Sequence, residues 1–408
     1  MRLGRIAQMS GSGNYAQRLN RKHGILFTAG PLCTSPSVRR AQMEDYGSRD
    51  SDFLQCVAEL RREVLKIAAA PEKEWACVPM QGSGTMGIEA VVNSIIPPLK
   101  QYGEEKETKT GGAFLVLRNG AYSYRMASIV KKRGGAELIT FDTEEGVDMN
   151  LEAFEAQLCN ISGPLTAVGV VHCETSTGMF NPIQEITHIV RRHRPEATIL
   201  VDAMSSFGAV DFHVPDVCDV LVTSANKCIQ GVPGFSLIVA RQSLLQKCRG
   251  WSPSFTLDIV SQWDGLEKSG GQFNQTPPVQ AMVAFHQALK EHAAEGGVLA
   301  RAHRYREMNT YIVKRMTEEY GFELFLDNTK PSYGYIITAF KIPQVPNWSF
   351  AKFYEGLKEE GFVIYPGKAS FADTFRIGTL GDIHMPDCVA LMDTVGVVLK
   401  RMNVSLKS

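Results

Sequence analysis

The first 43 positions contain no Asp or Glu, although Arg2, Arg5, Arg18, Arg21, Lys22, Arg39 and Arg40 all lie among them. An acid-free leader of this kind suits a mitochondrial presequence, which would place the protein in the matrix; without such an address it is a basic arm on a cytoplasmic protein. Over the whole chain the excess of charge disappears, with 43 basic residues against 43 acidic ones. That balance removes the electrostatic case for a nucleic-acid or membrane partner. No long uninterrupted apolar run occurs, so no membrane-spanning helix is expected. The nine cysteines are odd in number and scattered, and no two form a C-x-x-C pair. This argues against a disulfide framework and a zinc site, and for reduced thiols inside a cell. Internal repeats and low-complexity segments are also lacking, which excludes a solenoid.

From about Glu44 to Lys290, short apolar runs alternate with helical periodicity. That alternation predicts an α/β domain built on a mostly parallel sheet. Seven strands are expected: Glu74 to Met80, Ala113 to Leu117, Glu137 to Phe141, Ala167 to His172, Thr198 to Val201, Val217 to Val222, and an antiparallel Ser236 to Ala240. Past Pro278 a long helical stretch, Val279 to Tyr320, leads to shorter strands and to helices over Phe350 to Glu360 and Asp387 to Met402. The expected division is a basic arm over 1–43, a large domain over 44–290, and a smaller α+β domain over 291–408.

Two of the strands end in chemistry. One delivers Asp202 and the other runs through Ser224 to Lys227. An acid and a lysine about twenty-five residues apart, each past the carboxyl end of a strand, project into the same crevice of a parallel sheet. The pairing suits pyridoxal 5'-phosphate, whose aldehyde a lysine holds as a Schiff base and whose ring nitrogen an acid keeps protonated. Gly82-Ser83-Gly84-Thr85-Met86-Gly87 fits G-x-G-x-x-G between a strand and a helix. A dinucleotide motif reads the same way, but it needs an acid after the next strand, where Asn119-Gly120 stand instead. A monophosphate held by helix amides and by the Ser83 and Thr85 hydroxyls fits better. Tyr122 offers a ring to stack on a planar heterocycle. Thr175, in Glu174-Thr175-Ser176-Thr177-Gly178, offers a hydroxyl donor, and Arg376 sits alone in the apolar strand Thr374-Phe375-Arg376-Ile377-Gly378. An arginine there suits bidentate binding of a carboxylate.

Several segments together resemble the class V aminotransferase branch of the fold type I pyridoxal phosphate enzymes. They are Leu26-Phe27-Thr28-Ala29-Gly30-Pro31-Leu32, Gln81 to Thr85, Val201 to Gly208, Ala225-Asn226-Lys227-Cys228-Ile229-Gln230-Gly231-Val232-Pro233-Gly234-Phe235, and Phe375 to Gly378. The resemblance implies that Lys227 carries the cofactor and Asp202 pairs with its ring nitrogen. Ser83, Gly84 and Thr85 would take the phosphate, Tyr122 would stack, Thr175 would meet the ring oxygen, and Ser224 would be a further cofactor-binding residue. It further implies a homodimer with shared sites, in which Thr276 of Asn274-Gln275-Thr276-Pro277-Pro278 reaches the neighbouring subunit's cofactor. The implied donor is 2-aminoethylphosphonate and the acceptor pyruvate, with Arg376 on the carboxylate and Arg49 and Arg125 helping with a second negative charge. The sister reaction of alanine or serine with glyoxylate is the alternative. A nicotinamide-dependent dehydrogenase and a binding protein without turnover are the remaining ones. Two residues depart from the family pattern: Tyr122 stands where tryptophan is frequent, and Ala29 where proline is.

Overall fold

The computed structural model describes residues 24–98, 112–367, 369 and 373–407. The leader 1–22, expected as arm or address, lies outside these residues. A seven-stranded sheet forms the centre, in the spatial order Trp75–Gln81, Phe235–Arg241, Val220–Ser224, Thr198–Asp202, Leu165–Val171, Ala113–Arg118, Glu137–Asp142. Phe235–Arg241 runs antiparallel to both of its neighbours, and the remaining pairs are parallel. Thr198–Asp202 and Val220–Ser224 are buried along their whole length, because helices cover both faces of the sheet. The sixth strand begins at Val220, three residues later than the sequence predicts. Val214–Val217, with a proline in its first turn, winds into a short helix ahead of it.

Registry fixes the site. Asp202 lies opposite Val222 on one side and Val171 on the other. Asp202, Ser224 and the Cys173–Glu174 segment thus emerge at the same edge of the sheet, the edge at which α/β folds bind ligands.

The predicted helix over 279–320 is two helices, Val279–Glu295 and Gly297–Lys314, broken at Gly296 and followed by a π-helical turn, Arg315–Glu319. The core changes at that break. Met282, Phe285 and Leu289 pack with the central sheet, whereas Tyr305, Met308 and Ile312 belong to a second apolar cluster. Phe340, Phe353, Phe375 and Leu391 form much of this second cluster. Its sheet is antiparallel, ordered Ile337–Lys341, Thr374–Gly378, Tyr365–Pro366. Phe322 to Leu326 contributes only an isolated bridge from Leu324 to Phe340.

Part of the expected arm is built into the second cluster. Ile25–Leu26 pairs in parallel with Phe362–Val363, and Ile25, Phe27, Leu32 and Cys33 are buried there. Apolar side chains in an otherwise basic segment place residues 24–33 against the C-terminal core, and the chain then passes back to the cluster of the central sheet through helix Pro36–Ala41, whose Val38 is buried there.

Candidate active site

A cavity of about 480 Å³ opens at the carboxyl edge of the central sheet. Ser83, Gly84, Thr85, Tyr122, Thr175, Asp202, Ser224 and Lys227 all line it. The loop Gly82–Ser83 feeds helix Gly84–Ile95, for which Ser83 is the N-cap residue without making a side-chain capping bond. The first amides of that helix therefore have no intrahelical acceptor, and they face the cavity with the positive end of the helix dipole.

Asp202 is 7% exposed, and one of its oxygens accepts the Met204 N–H at 3.0 Å. Burial, reinforced by the nearby Glu174 charge, pushes its carboxyl up to about 7, although Lys227 pulls the other way. Lys227 stands in a tight connection after Ser224. Its amine donates to the Ala29 carbonyl, and burial lowers its pKa. Gly30 faces the same amine. A Cβ there would lie 2.7 Å from the Lys227 nitrogen, and the backbone sits at φ +99°, a conformation that favours glycine.

The connection after Lys227 is bolted to the second apolar cluster. Arg301 donates to the Cys228 carbonyl and pairs with Glu295 at 2.6 Å. Gln230, at φ +67°, donates to the Tyr305 hydroxyl at 2.7 Å and to the Gly381 carbonyl at 2.8 Å. These bonds hold the unfavourable backbone of Gln230 and set the base of the lysine.

Arg376 is buried and does not line the cavity. Its Nη1 donates to the Thr175 carbonyl at 2.8 Å and its Nε to the Pro366 carbonyl at 3.1 Å. Burial lowers its pKa, and the Tyr122 hydroxyl opposes that effect. Arg125, by contrast, does line the cavity: its Nη1 donates to Thr85 Oγ1 at 2.9 Å and its guanidinium lies 4.9 Å from the Tyr122 ring centre. Arg49 is exposed and is not among the cavity residues. Thr276 is likewise exposed and outside the cavity, its carbonyl accepting from the Gln81 side chain.

Glu174, Gly30, Gln230 and Arg301 are the residues that sequence reasoning missed. An acid inside the apolar, hydroxyl-rich segment Cys173–Thr177 was the available signal for Glu174. Nothing local signals Arg301, whose role depends on folding a distant helix under the lysine. Among the described residues, no group of three His, Cys, Asp or Glu side chains stands where it could hold a metal ion.

A phosphate cup at a helix N-terminus, a buried acid and a desolvated lysine on one wall define an enzyme site of the pyridoxal phosphate type. The donor set fits that cofactor: helix amides, the Ser83 and Thr85 hydroxyls and the Arg125 guanidinium that reaches Thr85 at one end, the amine at the other, and an acid kept dry between them. The family model for class V aminotransferases matches residues 43–372, and the chain belongs to that family. Pyridoxal phosphate is the cofactor of this family. The chain is 42% identical over 379 residues to the 2-aminoethylphosphonate–pyruvate transaminase of Phocaeicola vulgatus, covering 92% of this chain and 99% of that one. It is 40% identical over 380 residues to the protein of the same name from Bacillus cytotoxicus, with coverage of 92% and 99%. Among solved structures, it superposes on the ureidoglycine–glyoxylate aminotransferase of Bacillus subtilis with a TM-score of 0.81 at 21% identity, covering 94% of this chain and 95% of that one. The alanine–glyoxylate aminotransferase of Nostoc gives 0.79 at 22% identity, with coverage of 92% and 95%. At such identities the structural likeness speaks for the fold alone.

Proposed function

We propose that this protein is an aminotransferase that moves the amino group of 2-aminoethylphosphonate to pyruvate, giving phosphonoacetaldehyde and L-alanine. The observation that carries the reading is the enclosure of Lys227, Asp202 and the Ser83–Thr85 cup in one cavity. Identities of 38–42% to transaminases of that name support the choice of substrates.

When bound, the cofactor supplies an aldehyde that receives the amino group and a ring that withdraws electrons from the carbon losing its proton. Asp202 would pair with the ring nitrogen, where a facing cation returns its carboxyl to the ionised form. Lys227 would hold the aldehyde, and the lowered pKa of its amine suits Nζ to be the base that takes a proton from the donor's amino carbon. Tyr122 would cover the ring face, Thr175 would donate to the ring oxygen, and Ser224 would be a further cofactor contact. Arg376 binds the pyruvate carboxylate after exchanging its carbonyl partners, and Arg125 supplies the cation nearest the phosphate cup.

The reading includes a homodimer. Thr276 is exposed beside Gln81 at the cup, and Met86 and Phe255 are 40% and 87% exposed. A second copy packed over these side chains would bring its own Thr276 to this cavity. The known relatives quoted above are bacterial, which gives an organelle address no support, and this reading assigns the cytoplasm.

Alanine production measured with 2-aminoethylphosphonate and pyruvate, against glycine production from alanine or serine with glyoxylate, tests the reading. A higher kcat/KM for the second reaction would transfer the protein to the sister activity.

A further inference from the structure

Glu174 is fully buried at the end of the two-residue strand Cys173–Glu174. Its carboxylate accepts the N–H groups of Tyr122 at 3.2 Å, Ser123 at 3.1 Å and Ser176 at 3.3 Å, and the Ser176 hydroxyl at 2.7 Å. The Ser176 oxygen accepts in turn from the Ala121 N–H at 3.1 Å. Helix Ala121–Arg133 follows Gly120, which has no side chain with which to cap it. A residue from a different segment thus serves as the cap at the positive end of the helix; burial raises the Glu174 pKa, and the donors of Ser176, Ser123 and Tyr122 pull it back toward the ionised form. Gly120 must be glycine for this to happen, because a Cβ there would overlap the Glu174 side chain.

The elements that Glu174 joins are those facing the cavity. Tyr122 is the second residue of the capped helix. Thr175, the next residue in the chain, lines the cavity with its side chain and receives Arg376 on its carbonyl. A buried carboxylate is a poor way to gain stability, since its desolvation must be offset bond by bond. It is a good way to fix two segments against each other, because moving either one leaves a charge without donors.

We infer that Glu174 is a positioning residue for the transfer reaction, holding the Tyr122 ring on the cavity wall and, through the Thr175 carbonyl, the Arg376 guanidinium behind it at a set separation. The inference rests on the proposed roles of Tyr122 at the cofactor ring and Arg376 at the substrate carboxylate. Its test is a titration of cofactor-free protein with pyridoxal phosphate, followed by absorbance, together with KM and kcat for pyruvate. Four proteins are compared with the parent: E174Q, Y122A, the double variant, and S176A, which removes one donor and serves if E174Q does not fold.

The expected result is cofactor binding about tenfold weaker in E174Q and about threefold weaker in S176A. The pyruvate KM should rise more than kcat falls, and the double variant should bind no more weakly than Y122A. Unchanged cofactor affinity in E174Q or S176A while Y122A binds weakly would overturn the inference and leave the function standing. Losses that multiply in the double variant would do the same, since Glu174 would then act without Tyr122. Unchanged affinity in Y122A would instead remove the assigned role of Tyr122, and the inference with it.

Discussion

The two ends of the cavity are built in opposite ways. At the cup, the donors of Ser83 to Thr85 face open space, at the end of a helix whose N-cap side chain makes no capping bond. At the other end Lys227 is already engaged on the Ala29 carbonyl, and behind the wall Arg376 is engaged on the carbonyls of Thr175 and Pro366. A phosphate entering the cup displaces water. On the proposed role of Arg376, a substrate carboxylate would have to displace protein acceptors, so its affinity would be the difference between two sets of hydrogen bonds. Tight retention of the cofactor and modest, exchangeable affinity for substrates follow from the same wall.

Substitutions at the two ends should therefore separate binding from turnover. The largest effect is expected for Lys227→Ala. Turnover should fall by about 10⁴-fold or more, because the base and the covalent anchor are lost together. The cup should still bind pyridoxal phosphate, as equilibrium dialysis can check. Loss of cofactor binding would mean that the two ends are not independent.

Asp202→Asn comes next, with kcat expected to drop by roughly 10²–10³-fold. It also has a signature in the cofactor-free protein. The folded carboxyl titrates near 7 against 3.8 for an ordinary Asp, so between those values the folded state holds a proton that the unfolded chain has released. Stability from this group falls as pH rises through that window, by about 4 kcal/mol at most. Thermal unfolding at pH 5 and pH 8 should show a smaller decline for the asparagine variant than for the parent. An equal decline would mean that Asp202 is not the buried acid responsible.

Arg376→Ala should raise the pyruvate KM by roughly 10–100-fold, the loss expected for charged hydrogen bonds, and leave cofactor affinity nearly unchanged. A pyruvate half-reaction that proceeds as before would contradict its assignment. The smallest effect is expected for Gly30→Ala. A positive φ costs about 1–2 kcal/mol and lowers Tm by roughly 1–2 °C. The added methyl also presses on the lysine amine, so kcat should fall more than stability alone explains.

The difference between the ends also explains what was legible in the sequence. The cup, Asp202 and Lys227 follow local rules: a glycine turn between strand and helix, and polar residues past apolar strands. Seven strands could be placed from periodicity for the same reason, the shift at Val220 arising where a proline-led helix interrupts the pattern. The substrate end obeys no local rule. Thr28 to Pro31, Glu174, Arg301 and Arg376 come from distant stretches and meet only through the second core. Its construction from residues 24–33 and the C-terminal third is a matter of tertiary packing. Arg376 was visible because a lone arginine in an apolar strand is conspicuous, but its carbonyl partners were not.

The most direct test of the account is a single turnover without acceptor. Protein loaded with pyridoxal phosphate is mixed separately with 2-aminoethylphosphonate, L-alanine and L-serine, and the absorbance of the lysine-bound cofactor is followed. Rapid bleaching by 2-aminoethylphosphonate and by alanine, reversed by pyruvate, is the expected result. Bleaching by alanine or serine but not by 2-aminoethylphosphonate would contradict the assigned donor, and no lysine-bound absorbance after loading would contradict the role of Lys227 itself.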